Sequence, residues 1–323
     1  MMKRYLGLFT TALLLCHPVA APASSMKEET GKELTVVTTI FPAYDWTLQI
    51  LGDNPADVRV SMLAAGGVDL HSYQPSADDI LQISSADLVI YVGGESEQWM
   101  QDALAAVGKE EEAVISLLDV LGEDAQVEEA GLEEEAEESD ESDEETEYDE
   151  HVWLSLRNAA RFCTAIADWL GEADPENSDL YQADLEAYRG ELDELDAAFT
   201  DVTRTAKTHT LLFGDRFPFR YLTEDYGLDH YAAFSGCSAE TEASFETIVF
   251  LAAKTDELGL HTILKIEGSD GKIAETIRAN TAGKDQKILE LDSLQSVTED
   301  ELAEGLTYLS AMSGNLQVIK EAL

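Results

Sequence analysis

From Leu34 onward, short runs rich in β-branched residues alternate with helical segments, and the alternation occurs twice, on either side of one unusually long helical stretch. Such alternation specifies βα units around parallel sheets, so the chain is predicted to form two α/β lobes. In the first half, a strand from Leu34 to Ile40 is closed by Phe41-Pro42 and followed by a helix from Tyr44 to Leu51. A strand around Val58 to Leu63 comes next, then a short helix from Ser76 to Ile83 with a serine cap and Asp78 and Asp79 in its first turn. A buried strand from Leu88 to Val92 ends at Gly93-Gly94. In the second half the strand candidates are His209 to Phe213, His230 to Ala233, Thr262 to Ile266 and Lys287 to Leu291. Helices fall between them at Phe217 to Tyr226, Ser244 to Leu258 and Lys272 to Asn280, with a last one from Leu306 to Leu323.

The long stretch opens at Asp174-Pro175-Glu176, a helix start with proline in the first turn. Leu180, Ala183, Leu185, Tyr188, Leu192, Leu195 and Phe199 recur at helical spacing to about Thr205. Roughly 30 residues at about 1.5 Å each make a rod of about 45 Å, long enough to join two lobes. The predicted organisation is a lobe over residues 33–172, a linker helix over 175–206 and a second lobe over 207–323.

Ahead of this lies an export signal over residues 1–25. Lys3 and Arg4 precede an apolar run from Tyr5 to Leu15, followed by Pro18 and small residues. Two processing routes stay open: cleavage after Ala23, or lipid attachment at Cys16, where Leu15 is bulkier than a lipobox normally holds. The run is too short to span a bilayer as a mature helix, so the mature protein is expected outside the cytoplasm, soluble or tethered. After cleavage Cys163 and Cys237 remain, in a compartment that permits a disulfide. Cys163 reads as a small buried residue on a helix.

The formal net charge of −46 would repel nucleic acid and anionic lipid and attract cations. Much of it lies in Gly122 to Glu150, which holds 17 acidic residues and no lysine or arginine. Such a run is predicted to be disordered and self-repelling.

Two histidines stand out from the rest. His71 sits in Gly66-Gly67-Val68-Asp69-Leu70-His71-Ser72-Tyr73, and His151 in Tyr148-Asp149-Glu150-His151-Val152-Trp153-Leu154. Neutral imidazole is the commonest protein ligand for zinc, and both segments are turn-like loops of the kind in which α/β folds carry binding groups. His209, His230 and His261 lie at strand edges and read as structural. The chain has no phosphate-cradling Gly-x-x-x-x-Gly-Lys motif, no Gly-x-Ser-x-Gly elbow and no His-Glu-x-x-His helix.

Together these residues resemble the metal-binding solute receptors of bacterial zinc and manganese ABC importers, the zinc-uptake and adhesin-type lipoproteins. The resemblance runs from about Leu34 to Leu323. It rests on Thr38-Thr39-Ile40-Phe41-Pro42, His71 with Tyr73 and Pro75-Ser76, Glu97-Gln98-Trp99, His151-Val152-Trp153-Leu154, Asp174-Pro175-Glu176-Asn177 and Asp225-Tyr226-Gly227-Leu228. It implies two βα lobes joined by one long rigid helix with a divalent ion in the interlobe cleft. It further implies a monomeric, non-enzymatic receptor that delivers zinc, or alternatively manganese, to a membrane permease coupled to a cytoplasmic ATPase. By the resemblance His71 and His151 are ligands, and Asp292 matches the family's late carboxylate. The family's third ligand falls on Arg216, whose guanidinium cannot coordinate. Asp215, Cys237 and Glu267 are the substitutes, with Glu267 better suited to orienting a ligand than to being one. Two rival classes remain open: a secreted zinc hydrolase with an open metal position, and a surface adhesin using the same fold.

Overall fold

Among the described residues, eight strands form two wholly parallel four-stranded sheets with the same strand order. The computed structural model describes residues 34–52, 58–127, 147–234, 236 and 243–323. The expected leader with Cys16, residues 128–146 of the acidic run, and Cys237 lie outside these. The first sheet comprises β1 (Leu34–Thr38), β2 (Val58–Met62), β3 (Leu88–Tyr91) and β4 (Val114–Ser116), in the order β2-β1-β3-β4. Its helices are α1 (Phe41–Leu51), α2 (Ala77–Ser85), α3 (Gln98–Val107) and α4 (Leu117–Leu121). Next come α5 (Leu156–Ala173) and α6 (Ser178–Thr205). The second sheet comprises β5 (Thr210–Phe213), β6 (Asp229–Ala232), β7 (Thr262–Ile266) and β8 (Lys287–Leu291), in the order β6-β5-β7-β8. It is accompanied by α7 (Arg220–Tyr226), α8 (Phe245–Leu258) and α9 (Lys272–Asn280), and the chain closes with α10 (Glu299–Ala303) and α11 (Tyr308–Ala322).

The periodic segments fold as their patterns predict, with ends shifted by up to three residues, as at the starts of the helices Phe41–Leu51 and Arg220–Tyr226. β7, α9 and β8 match residue for residue. The three-residue strand β4 escapes pattern reading because Val114-Ile115-Ser116 is too short to show alternation; it takes its place by pairing with β3. Helix α2 keeps its predicted cap, since Ser76 Oγ accepts from Asp79 N at 3.3 Å and the Asp79 carboxylate accepts from Ser76 N at 2.6 Å.

The long helix starts three residues later than proline suggests. Asp174 to Asn177 form the turn between α5 and α6, where Asp174 Oδ2 accepts from Asn177 Nδ2 at 2.7 Å and from Tyr181 Oη at 2.8 Å. The 28 residues of α6 span about 42 Å. Two positions of the expected stripe face solvent: Leu180 is 47% exposed, and Ala183 is also exposed. The buried stripe is Tyr181, Leu185, Tyr188, Leu192 and Phe199, one position round from the forecast at its start.

That stripe belongs to one hydrophobic core running through both halves. Trp46 of α1 packs its ring 5.6 Å from Phe162 of α5 and 5.1 Å from Tyr308 of α11. Next to it the buried Asp45 carboxylate accepts from Tyr308 N at 2.9 Å, fastening the first turn of α11 to α1. Burial raises the Asp45 carboxyl above its usual range, against the pull of the Tyr308 amide and the Gln49 side chain. Cys163 is buried in the same cluster with no disulfide partner among the described residues, and burial raises its thiol well above the usual range. Among the described residues, no helix is long and apolar enough to cross a membrane.

Replacing a fully buried aromatic of this cluster opens a cavity where α1 meets α5 and α11. Trp46→Ala is expected to cost about 3–5 kcal/mol in urea unfolding, whereas Leu180→Ala is expected to stay within about 0.5 kcal/mol. Equal losses at the two positions would contradict the shared core.

Candidate metal centre

At the seam between the two halves, His71 lies on a 3₁₀ turn and His151 immediately before another. The first turn, Leu70–Ser72, follows β2 and is capped by Asp69, whose Oδ1 accepts from His71 N at 3.0 Å. The second, Val152–Leu154, begins directly after His151 and leads into α5. Loops from the second sheet meet both. Trp153 Nε1 donates to Ser293 O at 2.8 Å, and Gly67 N donates to Val297 O at 2.9 Å. Tyr221 Oη donates to Asp149 O at 3.1 Å, while Arg216 Nη1 lies 3.3 Å from Asp69 Oδ2. The carboxyl ends of the strands in both sheets therefore supply the loops that meet here, the usual place for ligand groups in open α/β sheets.

Eighty positions apart in the chain, the rings converge: His71 Nε2 and His151 Nε2 are 3.1 Å apart, with ring centroids 5.2 Å apart. Each ring is also held at its other nitrogen. Asp149 Oδ1 accepts from both the backbone N–H of His151 (2.8 Å) and its Nδ1 (2.9 Å). His71 Nδ1 lies 2.6 Å from Ser96 Oγ and 3.7 Å from Glu150 Oε2. A carboxylate only accepts hydrogen bonds, so Asp149 places a proton on Nδ1 of His151 and turns its basic Nε2 toward the His71 ring. A second lone pair facing it at such a separation would repel unless a cation or a proton lay between them. Trp153 closes one side, its ring edge-on to His151 at 5.3 Å, and His151 is 3% exposed.

These partners correct the reading of the acidic run. Its ends are ordered: Gly122–Asp124 form a 3₁₀ turn, Val127 bridges to Tyr148, and Gln126 O accepts from Asp149 N at 2.8 Å. Asp149 and Glu150 are buried, at 3% and 6% exposure; backbone amides and an imidazole replace water at Asp149 Oδ1 and Glu150 Oε1, while Glu150 Oε2 has no hydrogen-bond partner among the described residues. Ser96 N donates to Glu150 Oε1 at 2.7 Å. Gly94 makes room for that carboxylate: at φ +81°, a Cβ there would lie 2.4 Å from Glu150 Oε1. Ser96, Asp149 and Glu150 were not legible as site residues. The two acids are hidden by 15 others in the run, and Ser96 carries no signal beyond the neighbouring Gly93-Gly94.

The carboxylates expected from the second half occupy adjoining loops. Asp215 follows β5, is 8% exposed and accepts from Arg216 N at 2.9 Å through Oδ1; its buried Oδ2 has no partner among the described residues. Asp292 follows β8, and its Oδ1 accepts from Leu294 N at 2.8 Å in a turn that holds Leu294 at φ +61°. Asn315 braces that turn by bonding the backbone N–H and C=O of Asp292. Burial and the nearby Glu267 push the Asp292 carboxyl up to about 7. Glu267 is occupied with the same loop, accepting from Ser293 N at 2.7 Å and Gln295 N at 3.3 Å. Among the described residues, no three His, Cys, Asp or Glu side chains gather into a set for one ion. The structure thus brings His71 and His151 together and leaves Asp215 and Asp292 on the flanking loops. His230, read as structural, stacks on Phe217 with ring centroids 3.7 Å apart.

Behind His71, Glu97 is fully buried and accepts from Val92 N at 2.6 Å and Gly93 N at 3.0 Å. Burial raises its carboxyl to about 7; these amides oppose the rise and Glu150 adds to it.

Comparison with known proteins places this geometry among relatives. The family model described as zinc-uptake complex component A, periplasmic, matches residues 36–322. The high-affinity zinc uptake system protein ZnuA of Bacillus subtilis is 30% identical over 331 residues, covering 100% of this chain and 99% of that protein. The zinc-binding protein AdcA of Streptococcus pyogenes is 30% identical over 294 residues; the match takes in 89% of this chain but only 56% of the longer relative. The Zn(II)-bound ZnuA-like domain of Streptococcus pneumoniae AdcA superposes with a TM-score of 0.70 at 28% identity, covering 90% of this chain and 98% of that one.

Glu97 gives the fold a measurable pH dependence. Its folded value near 7 lies above the ordinary 4.5, so its contribution to stability is complete below about 4.5 and is lost as pH rises through 7. In protein stripped of metal, the fall in urea midpoint between pH 5 and pH 8 should be smaller in Glu97→Gln than in the parent. Identical pH profiles would show that Glu97 does not titrate there.

Proposed function

The chain belongs to the periplasmic zinc-uptake component A family, and on that premise we propose that it is an exported receptor that captures zinc and hands it to an ABC importer. The observation that carries this reading is the pair of Nε2 atoms 3.1 Å apart. A tetrahedral zinc with bonds of about 2.0–2.1 Å holds two nitrogens about 3.3 Å apart, so the rings need only a few tenths of an ångström to accept the ion. The Asp149 carboxylate at Nδ1 of His151 fixes the tautomer that coordination through Nε2 requires.

His71 and His151 supply two ligands in this reading, and anionic donors from the second half complete the set. Asp292 is one. Asp215 or Cys237 takes the place that Arg216 vacates. Supporting this, the immediate neighbours Ser293 and Arg216 already bond the segments that carry the two histidines. Imidazole donors favour zinc over manganese. Release follows to a membrane permease whose cytoplasmic ATPase supplies the energy, since the chain itself carries no nucleotide-binding motif. The extended core shared by α1, α5, α6 and α11 supports small adjustments between lobes rather than wide hinge motion.

Metal analysis of the purified protein should find one zinc per chain. His71→Ala and His151→Ala should each lose at least about 100-fold in zinc affinity by chelator competition, since each removes a direct ligand, and outer partners alone are worth about 10–100-fold. Affinity should fall as pH drops through about 6.5, because protonated imidazole cannot coordinate. Parental zinc binding in both alanine variants would overturn the reading.

A further inference from the structure

Resting on that zinc reading, we infer that Arg216 is a positioning residue: it latches the His71 loop to the second lobe through Asp69, an ion pair where the resemblance expects a metal bond. Arg216 stands in the loop after β5, and its Nη1 lies 3.3 Å from Asp69 Oδ2. Asp69 uses its other oxygen to accept from His71 N at 3.0 Å, and its backbone carbonyl accepts from Ser72 N and Ser72 Oγ, both at 3.0 Å. One carboxylate thus shapes the turn that aims the imidazole and receives a cation from the opposite half. Side-chain exposures of 28% for Arg216 and 19% for Asp69 leave the pair only partly screened by solvent.

A second attachment makes the latch directional. Gly67 N donates to Val297 O at 2.9 Å, and Gly67 sits so close to that loop that a Cβ would lie 3.1 Å from Thr298 Cγ2. The segment from Gly67 to Ser72 is therefore tied to the second lobe at two points, to the loop after β8 and to the loop after β5. With both ties made, His71 cannot swing away from His151 without breaking a charge pair that spans the lobes. Arg216 thereby retains the ion without touching it.

The test uses the full chain with Arg216→Gln, Asp69→Asn and the double variant. Asp69→Asn keeps an amide oxygen to cap His71 N–H while removing the charge. Zinc release to excess chelator at low salt should be up to about fivefold faster in each single variant, the range of a partly exposed pair. The double variant should release no faster than either single one, and Arg216→Lys, which keeps the charge, should recover most of the parental rate. The differences should shrink at about 1 M salt, where the screening length is about 3 Å. In protein stripped of metal, amide hydrogen exchange over residues 68–73 should be faster in Arg216→Gln than in the parent. Parental exchange in that variant overturns the latch, as do additive effects in the double variant. Faster exchange with parental release overturns its role in retaining metal. A parent chain that holds no zinc overturns the function instead, and the exchange measurement still reads the latch.

Discussion

Parallel strands are stable only when both faces of the sheet are covered, and in this chain the helices that cover the two sheets meet in one layer. Trp46, Phe162, Tyr181, Phe199 and Tyr308 come from α1, α5, α6 and α11 and pack into a core that belongs to neither sheet alone. The rest depends on this. Because the two sheets share a helical layer, their loops keep a set separation, and ties between the halves such as Trp153 Nε1 to Ser293 O at 2.8 Å can persist. Asp45 adds a polar tie at the same level, holding the first turn of α11 against α1.

At the seam, charge is handled by local compensation. The chain carries a net charge of −46, yet the acids nearest the histidines are buried rather than solvated. Asp149 accepts from a backbone amide and an imidazole, Glu150 accepts through one oxygen from the Ser96 amide, and Asp69 meets the His71 amide and a guanidinium. Each carboxylate does two jobs, shaping a turn and orienting a ring or receiving a cation. Position 216 belongs to this network in the same way: its arginine neutralises the acid whose other oxygen accepts from the His71 amide.

The elements long enough to display a period were readable from the chain, since a half-buried helix or a fully buried strand leaves a pattern that depends only on its own residues. β7, α9 and β8 were bounded residue for residue, and both histidines were singled out from local sequence alone. β4 was missed because three residues show no period, and its existence depends on β3 offering an edge. Leu180 was misassigned to the core because a periodic pattern gives the spacing of a stripe but not its rotational setting, which the packing of α6 on its neighbours decides.

By itself the amino-acid sequence determined the fold class, the long helix and the identity of the two imidazoles, because each is written in residues close together in the chain. Only the tertiary structure decided that Asp149 and Glu150 leave the acidic run to hold those imidazoles. It likewise decided that Ser96 stands behind His71 and that Arg216 reaches Asp69. Those pairings depend on distance in space between segments far apart along the chain. Local composition points the opposite way for the acids, since a carboxylate in an acidic run belongs in water until a folded neighbour supplies the hydrogen bonds that water would have made.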